Sequence, residues 1–197
     1  MSFDDILTGR SVMAILRGLP AGETVAVAGR LWDAGVTVLE IPIGSPDAIP
    51  ALRAAADAAH ERGLRVGAGT VITAEQVRAA AGAGAQYTVA PGFDPAVLAA
   101  SLAAGMPHLP GVGSATDVQR AWLAGCRWLK AFPAVALGPA WITSLLGPFP
   151  DVRFVATGGL TVATAPAFLD AGARVVALGA ALADPAQRHE IGKLLDR

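Results

Sequence analysis

Val36-Thr37-Val38-Leu39-Glu40-Ile41, a helical stretch closed by Gly63, then Leu64-Arg65-Val66-Gly67-Ala68: this passage decides the fold. A short apolar run rich in β-branched residues precedes an amphipathic segment over 50–62, and a second such run follows. The pattern is one strand–helix–strand unit, and it repeats along the chain in both directions. Toward the N-terminus lie a strand over 11–16 and a helix over 21–34. Toward the C-terminus, strands over 86–90, 106–109, 127–131, 152–156 and 174–178 alternate with helices over 74–83, 96–104, 115–124, 140–146 and 163–171. A last helix is expected after Gly179. Eight such units, starting about twenty to thirty residues apart, predict an α/β (β/α)8 TIM barrel. No linker divides residues 1–197, so one compact domain is expected. The fold usually takes ~250 residues, and its loops here must be terse. A doubly wound open sheet is the alternative, at the cost of two exposed strand edges.

Composition narrows the function. Of the 197 residues, 53% are hydrophobic and only 16% charged, which leaves too little charge to cover a lone subunit and predicts a homo-oligomer. A net charge of -1 gives no footprint for nucleic acid or an anionic membrane. Gly, Pro and charged residues interrupt every apolar stretch before the ~18 residues of a membrane span, and Met1-Ser2-Phe3-Asp4-Asp5 lacks a basic leader. A cytoplasmic protein is the expectation. Cys126 is the only cysteine, and His60, His108 and His189 are too scattered for a ligand set, so no metal or cofactor is expected. Trp32, Trp122, Trp128 and Trp141 are expected to be core or interface anchors.

In this fold active sites lie at the C-terminal ends of the strands. Arg17, Glu40, Thr70, Pro91, Lys130 and Thr157 all fall there. Lys130 sits within Trp128-Leu129-Lys130-Ala131-Phe132-Pro133-Ala134, an otherwise apolar run. Desolvation disfavours an ammonium, and a neutral lysine amine attacks ketones to form a Schiff base. Three charged residues converging on one mouth could equally be a satisfied ion cluster. Thr157-Gly158-Gly159 and Gly179-Ala180 follow the last two strands, where loops of this fold often offer backbone N–H groups to a phosphate. Gly67-Ala68-Gly69 begins like a dinucleotide fingerprint, but Ile72 stands at the third glycine position and the motif is rejected.

Together these stretches resemble the 2-keto-3-deoxy-6-phosphogluconate (KDPG) aldolase family, including its 6-phosphogalactonate branch. The matching runs are Ile15-Leu16-Arg17-Gly18, Leu39-Glu40-Ile41-Pro42, Gly67-Ala68-Gly69-Thr70-Val71, Pro91-Gly92-Phe93, Pro110-Gly111-Val112, Lys130-Ala131-Phe132-Pro133-Ala134, Gly147-Pro148-Phe149-Pro150 and Thr157-Gly158-Gly159. They occur in family order across nearly the whole chain. The resemblance implies a trimeric, metal-independent class I aldolase that cleaves a 6-phosphorylated 2-keto-3-deoxy sugar acid to pyruvate and glyceraldehyde 3-phosphate. It implies that Lys130 forms the Schiff base and Glu40 is the general acid/base. Arg17, Thr70 and Pro91 would position the keto acid, Phe132 would pack beside the imine, and Gly158, Gly159 and Gly179 would line the phosphate end. Two positions depart from the pattern. Ala180 and Ala181 follow Gly179 where many members have serine, and Gly44 stands where some phosphogluconate-cleaving members have arginine. A non-phosphorylated 2-keto-3-deoxy sugar acid, or another 4-hydroxy-2-keto acid, is therefore the alternative substrate. The rival functions are a barrel isomerase or synthase in which Lys130 acts only electrostatically, and a non-catalytic sugar-acid binding protein.

Overall fold

A computed structural model describes residues 2–183 and 190–195; His189 and part of the expected last helix lie outside them. The strands are β1 (Val12–Ile15), β2 (Val38–Pro42), β3 (Arg65–Gly69), β4 (Thr88–Val89), β5 (His108–Leu109), β6 (Gly111–Val112), β7 (Trp128–Ala131), β8 (Arg153–Thr157) and β9 (Val175–Leu178). The helices are α1 (Phe3–Leu7), α2 (Ala21–Asp33), α3 (Ile49–Glu61), α4 (Ala74–Gly82), α5 (Pro95–Ala103), α6 (Ala115–Leu123), α7 (Ala134–Leu137), α8 (Pro139–Leu146) and α9 (Ala165–Asp170). The chain end shows a 3-10 turn, Ala180–Ala183, and a helical turn, Gly192–Leu195.

All paired strands are parallel, in the order β5-β4-β3-β2-β1-β9-β8-β7-β6, so the sheet curls into a nearly closed barrel. Nine segments replace the expected eight strands because Pro110 interrupts the fifth. Proline has no N–H to give a ladder. The passage is not a strand that stops at Leu109, as the sequence pattern predicted, but one that changes partner. Leu109 O accepts from Ala90 N at 3.0 Å, and Pro110 O accepts from Lys130 N at 2.8 Å. The two ends of the sheet are thus joined through one residue.

Period-two alternation sorts the strand side chains into two cores. Met13, Val38, Val89, Leu109, Trp128, Val155, Val175 and Ala177 point into the barrel, whereas Ala14, Leu39, Ile41, Leu129, Phe154 and Val176 pack under the helices. Helix α1 was not anticipated. Its buried Phe3, Ile6 and Leu7 join the barrel interior and stop its N-terminal end. Ser2 and Asp5 form a reciprocal capping box that starts this single turn and a half. Asp4 accepts from Trp128 Nε1 at 2.8 Å and pairs with Arg153, tying α1 to β7 and β8. Trp128 and Trp32 are buried, while Trp122 and Trp141 pack against the outer core. Helix α1 thus covers the end of the barrel opposite the strands' C-terminal ends.

Candidate active site

The same alternation that buries Trp128 and Val38 carries Lys130 and Glu40 inward, one layer nearer the open end. Glu40 is 1% exposed and Lys130 6%. Lys130 Nζ stands 3.8 Å from Glu40 Oε1, and neither carboxylate oxygen of Glu40 has a hydrogen-bond partner. A buried carboxylate without donors is costly to a structure. A merely satisfied ion cluster would close such a pair with further bonds, and this one leaves both oxygens free toward the amine. The ammonium also lies 5.3 Å from the centre of the Phe132 ring.

Above this pair opens a cavity of about 770 Å³. Arg17, Lys130, Phe132, Thr157, Gly158, Gly159 and Gly179 share its wall, seven of the residues singled out from sequence. Thr157 is buried at the end of β8, its hydroxyl without a partner. Gly158 and Gly159 adopt φ of 106° and 77°, which L side chains rarely adopt, so this turn requires glycine. A Cβ at Gly158 would lie 3.1 Å from the Phe132 ring, so the bare turn also seats that ring. Glu40 is not part of this wall and meets it through Lys130, 3.8 Å away.

Thr70 and Pro91 sit beside this cavity instead of lining it. Arg17 Nη2 donates to Thr70 Oγ1 at 3.4 Å, a long bond joining the mouth of β1 to that of β3. Thr70 has φ 60°, an uncommon position for a β-branched residue. Such strain costs on the order of 1–3 kcal/mol and concentrates where function needs a fixed side chain. Pro91 is held because its carbonyl abuts Gly111, whose missing side chain leaves the room.

Sequence reasoning overlooked several participants. Glu23, Arg30 and Thr161 also line the cavity, adding a carboxylate, a guanidinium and a hydroxyl to its wall. Tyr87 fills the barrel below Glu40, fully buried, and its hydroxyl donates to Leu39 O at 2.5 Å. Burial, reinforced by the Glu40 charge, pushes the Tyr87 phenol far above its usual range, so it stays a neutral donor. A tyrosine in an apolar run gives no sign that it lies under a carboxylate. His108 is remote from the cavity, in a buried chain with Thr88 Oγ1 at 2.8 Å and Ser101 Oγ beyond it. Among the described residues, no three His, Cys, Asp or Glu side chains gather into a ligand set.

Known proteins resemble this chain over most of its length. A family model described as KDPG and KHG aldolase matches residues 3–194. The chain belongs to this aldolase family. It is 38% identical over 177 residues to a probable 2-dehydro-3-deoxy-6-phosphogalactonate aldolase of Rhizobium meliloti, covering 89% of this chain and 83% of that one. It is likewise 38% identical over 171 residues to a 2-dehydro-3-deoxy-phosphogluconate aldolase of Treponema pallidum, covering 86% and 80%. Among solved structures, a native KDPGal structure superposes with a TM-score of 0.83 at 34% identity, covering 93% of this chain and 90% of that one. The KDPG aldolase of Legionella pneumophila, captured with pyruvate as a covalent carbinolamine, gives a TM-score of 0.84 at 27% identity over 96% and 94%. The barrel expected from the alternating pattern and the aldolase family expected from the resemblance are therefore both correct, apart from the divided fifth strand.

Proposed function

We propose that this chain is a class I aldolase that reversibly cleaves a 2-keto-3-deoxy-6-phospho sugar acid to pyruvate and glyceraldehyde 3-phosphate. The observation that carries the reading is the buried Lys130–Glu40 pair, 3.8 Å apart, with the carboxylate otherwise unbonded. Lys130 attacks the C2 ketone, and loss of water from the carbinolamine leaves a protonated imine. Glu40 takes the proton of the C4 hydroxyl as the C3–C4 bond breaks. The bonding electrons enter the imine as an enamine, and the aldehyde leaves. Protonation of C3 by the same carboxyl and hydrolysis of the imine then release pyruvate. Arg17 faces the keto-acid carboxylate with its planar fork, steadied by Thr70, and Phe132 shields the imine from water. The turns Gly158-Gly159 and Gly179-Ala180 offer backbone to the phosphate.

Two features favour a second substrate class, the non-phosphorylated sugar acids. Ala180 and Ala181 bring no hydroxyl donor to the far end, and Glu23 lines the same cavity as Arg30, so a carboxylate offsets a cation that a phosphate would use. Comparing kcat/KM for glyceraldehyde 3-phosphate and glyceraldehyde in the condensation direction separates the two.

A homotrimer in the cytoplasm completes the proposal. Leu102, Leu123 and Val135 are exposed apolar side chains that a subunit contact would cover. Burial pushes the Cys126 thiol up to about 11, keeping it an unreactive thiol.

The deciding experiment is borohydride reduction in the presence of pyruvate, followed by peptide mass spectrometry. A reduced pyruvate adduct on Lys130 is the expected result. An unmodified Lys130, under conditions that trap a control aldolase, would favour the electrostatic-lysine or binding-protein reading.

A further inference from the structure

Glu40 leans over β3, and the residue it leans on is Gly69. A Cβ added at Gly69 would lie 2.5 Å from both Glu40 Cγ and Cδ and closer still to Oε1. No real Cβ tolerates such distances, so any other residue at 69 expels the carboxylate from its present place. Gly69 has an ordinary strand conformation and is absent from the positive-φ glycines, so flexibility does not explain it. Two residues earlier Gly67 does the same for another side chain, since its Cβ would overlap the ring of Tyr87. Both positions point into the barrel on one strand. One bare position admits the ring that floors the site, and the next admits the carboxylate that works above it.

We infer that Gly69 is a positioning residue for the reaction: its missing side chain is the space that sets the Glu40 carboxylate facing Lys130. The inference rests on the aldolase reading of that pair and adds to it the feature that fixes its geometry. Tyr87 closes this space from below, while the neighbouring β1 presents Ile15 alongside. The carboxylate is thus bounded by β3, Tyr87 and Ile15 and faces the amine of Lys130.

The test measures deuterium exchange into the methyl group of pyruvate, which reports proton transfer at the enamine without needing an aldehyde. Four proteins are compared: wild type, Gly69→Ala, Glu40→Gln and the double variant. Gly69→Ala is expected to retain borohydride trapping of pyruvate on Lys130 yet to exchange ~100-fold more slowly, the scale of a lost general acid–base. The double variant is expected to be no slower than Glu40→Gln alone, since both changes remove one function. Gly172→Ala, whose Cβ would meet Leu146 Cδ1 at 2.5 Å away from the cavity wall, serves as the control for overpacking and should lower Tm while keeping exchange within a few-fold of wild type. Wild-type exchange in Gly69→Ala would overturn the inference, as would slowing that multiplies with Glu40→Gln. Should Gly69→Ala not fold, Glu40→Asp draws the carboxylate back by one bond without adding an atom, and unchanged exchange there would overturn it as well. Failure of wild type itself to trap pyruvate would instead remove the aldolase reading.

Discussion

The Nζ of Lys130 and the Oε1 of Glu40 lie 3.8 Å apart, one on β7 and the other on β2, on opposite sides of the barrel axis. That separation is wider than a direct hydrogen bond and short enough that the carboxylate faces whatever is bonded to the amine. Each side chain reaches the other only because its strand turns every second residue inward.

Lys130→Ala is expected to abolish both turnover and borohydride trapping. Glu40→Gln should keep the fold and the Lys130 adduct but lower kcat by roughly 10²–10⁴-fold, the usual scale of a positioned acid–base. Wild-type turnover in the glutamine variant would remove its assignment.

Arg17→Ala should act on the keto acid alone. Loss of a charge-assisted hydrogen bond is worth about 1.5–3 kcal/mol, so KM for pyruvate should rise by roughly 10–100-fold with a smaller change in kcat. An unchanged pyruvate dependence would sink the carboxylate role.

Thr70→Gly separates strain from use. Glycine tolerates the φ of 60°, so thermal stability should hold or rise, while the loss of the hydroxyl that steadies Arg17 should raise KM for pyruvate. Calorimetry beside pyruvate kinetics reads both. A falling Tm with unaltered kinetics would show that the threonine serves the fold.

His108 makes acid stability testable. Ser101 donates to Met106 O, so Thr88 must donate to Ser101 and the His108 Nδ1–H to Thr88, leaving Nε2 buried without a partner. Burial lowers its pKa from 6.5 to about 4, against the opposing field of Asp94. The unfolded chain binds the extra proton between these values. Stability is therefore complete above pH 6.5 and declines as pH falls toward 4, by at most about 3 kcal/mol. Urea midpoints between pH 7 and 4.5 should fall in wild type and flatten in His108→Asn. Equal slopes would refute the assignment.

Asp4→Ala should cost about 1–3 kcal/mol, chiefly because the Trp128 indole N–H is left buried without an acceptor. The ion pair with Arg153 is half-exposed on both sides and adds little. Asp4→Asn keeps an acceptor and should recover most of the loss in chemical denaturation. If Asn is as damaging as Ala, the ion pair is what matters.

Reading from sequence succeeded where a single local property decided the outcome. Strand ends carrying Arg17, Glu40, Lys130 and Thr157 were legible because polar residues interrupt otherwise apolar runs. Helix α1 was not, since Phe3-Asp4-Asp5-Ile6-Leu7 is too short to display a period. Pro110 read as a terminator because its missing N–H is evident in sequence, whereas its carbonyl's service to Lys130 N depends on a strand some twenty residues later. Gly67-Ala68-Gly69 fails as a cofactor motif and counts in sequence only as one run of the family resemblance. Its purpose lies in the side chains of Tyr87 and Glu40, which approach it from neighbouring strands. A glycine selected for what it leaves empty has no signature of its own.

Helix α1 has one more consequence, which concerns time rather than space. Asp4 meets Trp128 across 124 positions of chain and Arg153 across 149. During synthesis this segment emerges well before the strands it docks on. Until then Phe3, Ile6 and Leu7 have an incomplete hydrophobic seat. Contacts so distant along the chain slow folding, because the loop must close before they reward it. The contacts that α1 makes with the strand bearing Lys130 are thus expected to form late in folding.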